Sequence, residues 1–366
     1  MSFCTIGISG PELYRTSSPS ALSAFSSSDG DAATTSVTDI HPDVLRTHIL
    51  TRLDGPALAA VASTSSQLHC LTADPNLWAE LCRSTWPSTA TQRLHALISE
   101  FPNGPRSFFS DSFPRLSYHS ETSTSSSPSS ATYSRRRHRH RRHHFTPELI
   151  SAVDIYYRGE MVFSKVVETE TLSGWFRCTP FRIDMLDPKD VVQTPIKFPI
   201  GDGNTCWELT EDLTLSWIMI DTAGRRAMNL SSYRPVSVQR HWLSGEVHVR
   251  FAAVLEGERG TATECVQCGI AVTCGGWEGG NLQVREVNLQ VEDLDGTYLN
   301  GKDSLVILER ALEGKTGRRG RKKLEEFMAK KRERKERTLR REGTLDMVCL
   351  AFGFLGFATF LLSLII

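Results

Sequence analysis

No sign of charge dominates this chain. Its 366 residues carry 42 Lys and Arg against 42 Asp and Glu, so no global field draws it to nucleic acid or to an acidic membrane. The N-terminus lacks an apolar run followed by a cleavage site. Without that secretory signal there is no reason to expect an oxidising compartment, and the nine cysteines read as reduced thiols. Catalytic patterns are missing too: there is no Ser-His-Asp elbow, no phosphate-binding loop and no paired-carboxylate motif. Gly275-Gly276 and Gly279-Gly280 flank Trp277 as in a hairpin loop, not as in a dinucleotide fingerprint. Cys265-x-x-Cys268, with Cys274 beyond it, has no second CxxC or HxxxH to complete four zinc ligands. These cysteines read as small buried residues of strand-like sequence, so no cofactor and no metal is expected. No internal repeat of useful length is visible.

What is present divides the chain by texture. Hydrophobic residues make up 40%, enough for a sizeable core in one or two domains. Residues 1–38 are rich in Ser, Thr, Ala and Asp and predict disorder. Residues 39–115 carry a helical pattern. Residues 116–145 are Ser/Thr-rich and then basic, ending in Arg135–His144, and read as a flexible linker with an exposed basic stretch, with RNA, metal or import roles as the less favoured readings. From 146 to 312, short β-branched and aromatic runs are bounded by Gly, Pro, Asn and Asp. Several alternate, as Val247, Val249 and Phe251 do against Glu246, His248 and Arg250. Period-two alternation without long helices between the runs predicts a mostly antiparallel β-sandwich or barrel-like domain. Trp207, Trp217 and Trp242 are expected in its core. The fold class expected overall is α+β.

The most informative stretch lies between Asp39 and Cys82. Asp39 is placed to cap a helix starting near Pro42. Leu45, Ile49, Leu50 and Leu53 fall on one face at helical spacing. Asp54-Gly55 breaks that helix, and Pro56 opens another in which Leu58, Val61 and Ala62 share a face. Leu68 and Leu71 extend the apolar set, and Leu77, Trp78 and Leu81 form a third amphipathic element. Helices this short bury a small core and leave apolar residues over, which makes a partner plausible on physical grounds.

This stretch resembles the F-box, on Pro42, Leu45, Ile49, Leu50, Leu53, Leu58, Leu77 and Trp78, with His41 standing where the family usually has Leu. The continuation LWAELCRSTWPSTATQRL and FFSDSFP is similar to plant F-box proteins with a β-rich C-terminal domain. The resemblance implies that Pro42, Leu45, Ile49, Leu50, Leu53 and Leu58 bind a Skp-type adaptor, linked to a cullin and a RING subunit. Val61, Leu68, Leu77, Trp78 and Leu81 would form the F-box core. It further implies that the β-rich domain selects the protein substrate. A loose likeness to phloem-lectin-like domains carries no sugar site.

Residues 347–366 form an uninterrupted apolar run. Twenty helical residues span about 30 Å, close to the hydrocarbon thickness of a bilayer. About a dozen Leu, Ile, Phe and Val contribute roughly −4 to −6 kcal/mol to insertion. Residues 315–342 before it are densely basic, so the run reads as a single transmembrane tail anchor with cytosolic N-terminal domains, at the endoplasmic reticulum, with cytoplasm or nucleus as the alternative. Gly353 and Gly356 lack GxxxG spacing. Lys322, Lys323, Lys330, Lys331, Arg332, Arg334 and Lys335, interleaved with Glu325, Glu326, Glu333 and Glu336, read as a solvated helix with i,i+4 ion pairs that touches lipid headgroups, or as an import signal.

The expectation is therefore a non-catalytic, membrane-tethered substrate adaptor of an SCF-type ubiquitin ligase, without nucleic acid as a partner. A lectin-like or small-ligand module without ligase function is the alternative, and an enzyme within 146–312 ranks third for want of candidate residues.

Overall fold

The computed structural model describes residues 40–113, 146–198, 204–258, 260–314 and 320–365. The N-terminal disorder expected for 1–38, the cap expected at Asp39 and the Arg135–His144 run lie outside these residues. The helical part opens on a short turn α1 (Pro42–Val44), a π-helical turn at Leu45–Ile49 and a 3-10 turn at Leu50–Arg52. Five helices follow: α2 (Gly55–Ala62), α3 (Ser66–Thr72), α4 (Pro75–Thr85), α5 (Gln92–Ser99) and α6 (Gly104–Ser112). Their starts are written in the sequence. Asp54, Ser65 and Asp74 accept hydrogen bonds from the N–H groups of Ala57, Leu68 and Asn76, and Pro56 and Pro75 occupy first-turn positions, where the missing N–H costs nothing.

The β-rich part is a sandwich of two antiparallel sheets. The first has strand order β2-β1-β5-β6, with β1 (Glu148–Tyr157), β2 (Glu160–Glu170), β5 (Leu213–Asp221) and β6 (Arg226–Asn229). The second runs β3-β10-β9-β8-β7, with β3 (Arg182–Asp184), β7 (Ser237–Arg240), β8 (Val247–Glu256), β9 (Cys265–Gly275) and β10 (Asn281–Glu292). A further strand β4 (Val192–Lys197) pairs with β10. Between the sheets Val153, Ile155, Trp217 and Met219 meet Val249, Phe251, Ile270 and Val287. The alternation predicted for Val247, Val249 and Phe251 holds, since all three are buried while Arg250 is exposed. Helix α7 (Gly174–Cys178) and helix α8 (Asn204–Asp212) interrupt the strands. The β-rich segment closes not on a strand but on helix α9 (Gly301–Glu313), whose Leu305, Ile307 and Leu308 join the sandwich core.

Two side-chain placements differ from expectation. Trp217 is buried as expected, but Trp242 is 88% exposed on the β7–β8 loop, because the strand ends at Arg240 and the indole falls on the turn. The side chain of Trp207 lies outside the described residues. Cys268 and Cys274 are buried, with burial pushing both thiols up to about 12. Cys265, expected to be buried, is only half-buried; it stands three residues before Cys268 on β9, and successive side chains alternate faces on a strand, so the two sulfurs point to opposite sides. Among the described residues no group of three or more metal-ligating side chains converges.

The helical part shares its core with the first sheet. Ile150, Ala152, Ile218 and Ile220, on the other face of the first sheet, share one core with Leu77, Trp78, Trp86, Leu94 and Phe108. Trp86 Nε1 donates to Ser216 Oγ at 3.2 Å and Tyr156 donates to the carbonyl of Thr85 at 3.2 Å. The result is three layers: helices, the first sheet, the second sheet. Replacing Trp86, fully buried at this junction, with Ala is expected to cost about 3–5 kcal/mol. In thermal unfolding followed by circular dichroism, helical and sheet signals should fall together at the lowered midpoint; separate transitions would contradict the shared core.

Candidate functional site

The π turn decides which apolar residues of the first helical segment face solvent. The N–H of Leu50 bonds the carbonyl of Leu45, an i→i+5 step that inserts one residue per turn. Leu45 and Leu50, five apart, therefore both point inward and are buried at 2% and 1% exposure. In a regular α-helix Ile49 would stack over Leu45. Here it is rotated outward and is 41% exposed, contrary to the single face expected for Leu45, Ile49, Leu50 and Leu53. Val44, five residues before Ile49, is exposed as well, as is Ile40. Pro42 is exposed and Leu53 is half-buried. Together Ile40, Pro42, Val44 and Ile49 leave an apolar strip in water.

Of the six residues read as adaptor contacts, Leu45, Leu50 and Leu58 are interior, and Pro42, Ile49 and Leu53 reach the surface. Of the residues read as core, Leu77 and Trp78 are buried, while Val61, Leu68 and Leu81 are half-buried and pack against the same cluster. Sequence reasoning missed Ile40 and Val44 as surface residues, because nothing in the spacing announces a π turn. His41, the departure from the family's Leu, acts as N-cap: its Nδ1 accepts the N–H of Asp43 at 3.3 Å. Arg46 pairs with Asp74, the α4 cap, at 3.6 Å. This pair holds the strip-bearing segment against the next layer.

A buried carboxylate joins the helical part to the first sheet. Asp154, on β1, has no exposed surface. Its Oδ1 accepts the Ser88 N–H at 3.0 Å and the Ser164 hydroxyl at 2.7 Å, and its Oδ2 accepts the Ser88 hydroxyl at 2.5 Å. Burial raises its pKa above the ordinary carboxylate value, and the bonds from Ser88 and Ser164 offset part of that rise. At the rim, Arg93 pairs with Glu148 at 2.6 Å and with Glu168, and Arg225 pairs with Glu100 at 2.8 Å.

At one end of the sandwich, two loops hold apolar side chains in water. Trp242 and Leu243 sit on the β7–β8 loop and Trp277 on the β9–β10 loop, all exposed. The loops are neighbours, since Gly245 and Gly276 both lie against the ring of Phe198. Polar bonds brace the first loop: the Ser244 N–H donates to His241 Nδ1 at 3.1 Å, and Arg285 pairs with Glu246 at 3.2 Å. This end and the helical strip are both exposed apolar surfaces of the kind that partner proteins cover.

Comparison with known proteins agrees. The F-box-like family matches residues 42–84. A probable F-box protein of Arabidopsis thaliana is 46% identical over 333 residues, covering 88% of this chain and 93% of the relative. Two further Arabidopsis F-box proteins are 42% and 40% identical, covering 87% and 82% of this chain and 93% and 82% of their own lengths. No solved structure matches. The chain belongs to the plant F-box protein family. F-box proteins generally act as substrate adaptors of SCF ubiquitin ligases, and the F-box implies a Skp-type partner.

The Asp154 cluster yields a pH-dependent expectation. A carboxyl whose folded pKa lies above its unfolded value contributes stability that is full at low pH and is lost as pH rises through the folded value. Asp154→Asn keeps the acceptor for the Ser88 N–H and carries no charge to desolvate. It should match or exceed the wild type's melting temperature at neutral pH, with the advantage shrinking on acidification. Asp154→Ala leaves the buried Ser88 N–H unpaired and should cost about 1–3 kcal/mol. Calorimetry across pH distinguishes these outcomes.

Proposed function

We propose that this chain is a membrane-tethered substrate receptor of an SCF-type ubiquitin ligase. It docks a Skp-type adaptor, and through it a cullin and a RING subunit, on the strip formed by Ile40, Pro42, Val44, Ile49 and Leu53. The observation that carries the reading is the strip itself: apolar side chains held in water by a π turn, within the segment that matches the F-box-like family. Leu45, Leu50 and Leu58 then act from beneath, setting the shape of the strip. The protein substrate is assigned to the sandwich, at the end carrying Trp242, Leu243 and Trp277. Exposed Trp on braced loops supplies the large, rigid contact area typical of binding hot spots.

The mechanism is placement without covalent chemistry by this chain. The shared core holds the adaptor strip and the target-binding end in a fixed relation, so the target is presented at a constant position relative to the ligase.

The membrane assignment rests on helix α10 (Gly320–Ile365). It is long and apolar enough to cross a membrane, with a mean hydropathy of 1.8 over its most apolar window. Phe352, Phe354, Leu355, Phe357 and Phe360 are exposed, which argues against a buried core helix. The endoplasmic reticulum membrane is the proposed location, with the folded domains in the cytosol.

A Val44→Asp, Ile49→Asp double variant should lose at least tenfold in adaptor capture while keeping the wild-type melting temperature. Full capture by such a folded variant would remove the docking assignment. Leu50→Asp would not serve, since it places a charge in the core. Deleting residues 347–366 should move the protein from the membrane pellet to the soluble fraction of plant cells. A full-length chain that is already soluble would rule out the anchor.

A further inference from the structure

The basic stretch that opens α10 is built into the sandwich. Phe327 is buried, and Lys331 Nζ lies 5.9 Å from the centre of its ring. Lys323 bonds Glu256, the last residue of β8, at 2.7 Å. Lys330 bonds Glu264, just before β9, at 3.1 Å, and Lys331 bonds Glu292, the last residue of β10, at 2.8 Å. Arg334 pairs with Asp295 at 3.3 Å and donates to the carbonyl of Thr261 at 3.3 Å. Lys323, Phe327, Lys331 and Arg334 recur at steps of four, four and three, which is one helix face. With Lys330 beside that face, the partners lie at the ends of β8, β9 and β10, so the helix lies across that end of the second sheet. Within the helix, Glu333 pairs with Arg337 at 2.6 Å in the i,i+4 pattern expected from sequence.

Beyond Arg334 every described side chain of the helix is exposed. The helix nevertheless continues unbroken to Ile365, 46 residues in all, or about 69 Å. Isolated surface ion pairs contribute little, whereas several sharing one face with a buried aromatic behave as a unit.

We propose that α10 is a rigid strut. Its clamped end fixes the orientation of the sandwich, and with it the adaptor strip, relative to the apolar end of the same helix. What the far end is planted in rests on the membrane reading above; the clamp does not. Residues 335–346 then hold the sandwich about 18 Å from the bilayer. A flexible tether sweeps its cargo through a wide shell, but a strut admits only targets whose acceptor lysines lie near one height. The partner class this selects is a membrane-resident protein with a short cytosolic segment.

The test uses the full chain in phosphatidylcholine nanodiscs, with spin labels carried on unnatural amino acids at positions Gln239 and Leu345. Pulsed dipolar spectroscopy should give one narrow distance distribution. Lys330→Glu, Lys331→Glu and Arg334→Glu together should broaden it at least twofold. Adding Glu264→Lys, Glu292→Lys and Asp295→Lys should restore the narrow form, which a merely misfolded variant would not do. A broad wild-type distribution, or one unmoved by the triple reversal, would overturn the strut. A narrow distance in a chain that does not float with phosphatidylcholine vesicles would keep the clamp and remove the anchor.

Discussion

Ile150, Ala152, Ile218 and Ile220 face away from the sandwich core, and a water-exposed row of that kind has to be covered. The helices α4 to α6 cover it with Trp78, Trp86 and Phe108. Burying three isoleucines contributes about 5–9 kcal/mol as an upper figure, and the aromatic layer above them adds to it. The central strands of the first sheet, β1 and β5, are therefore buried on both faces. Other features of the molecule depend on that burial. It orders the helical part, places Ser88 over Asp154, and turns what could have been two tethered domains into one body.

That body changes how the apolar strip should be understood. In a short helical module alone, each apolar residue is needed for the small core. Here Phe108 and Phe109 from α6 stack on Trp78 and Trp86, with centroids 5.0–6.2 Å apart, and Gly55 lies directly under the Phe109 ring. With the core supplied from below, the first helical segment can turn Val44 and Ile49 outward through its π step. Strip and shared core are two consequences of one packing arrangement.

Sequence alone conveyed the parts governed by local rules. The helix break at Asp54, the hairpin around Trp277 and the alternation along β8 follow from short-range hydrogen bonding and pleat geometry, and they stand as read; the caps at Ser65 and Asp74 obey the same rules but were not singled out. The outward face of Ile49 was hidden because a π turn leaves no mark in composition. The exposure of Trp242 was hidden because strand length, not residue type, decides whether an indole lands on the sheet or on the turn. The continuous burial of β1, ELISAVDIYY, departs from strict alternation and was not read from the sequence. A run of that kind signals a strand covered on both sides, and its second cover was already present in the aromatics of α4 and α6.

The basic stretch of α10 shows the same limit at long range. Its lysines lie 66, 67 and 39 positions from the carboxylates they meet, so local charge patterning suggested partners within the helix. Topology supplies better ones, because antiparallel strands bring Glu256, Glu264 and Glu292 to the same end of a sheet. A helix that satisfies its cations there has fewer left for headgroups or for an import receptor. The same residues that looked like a solvated, promiscuous surface thus become the joint between the folded body and its apolar tail.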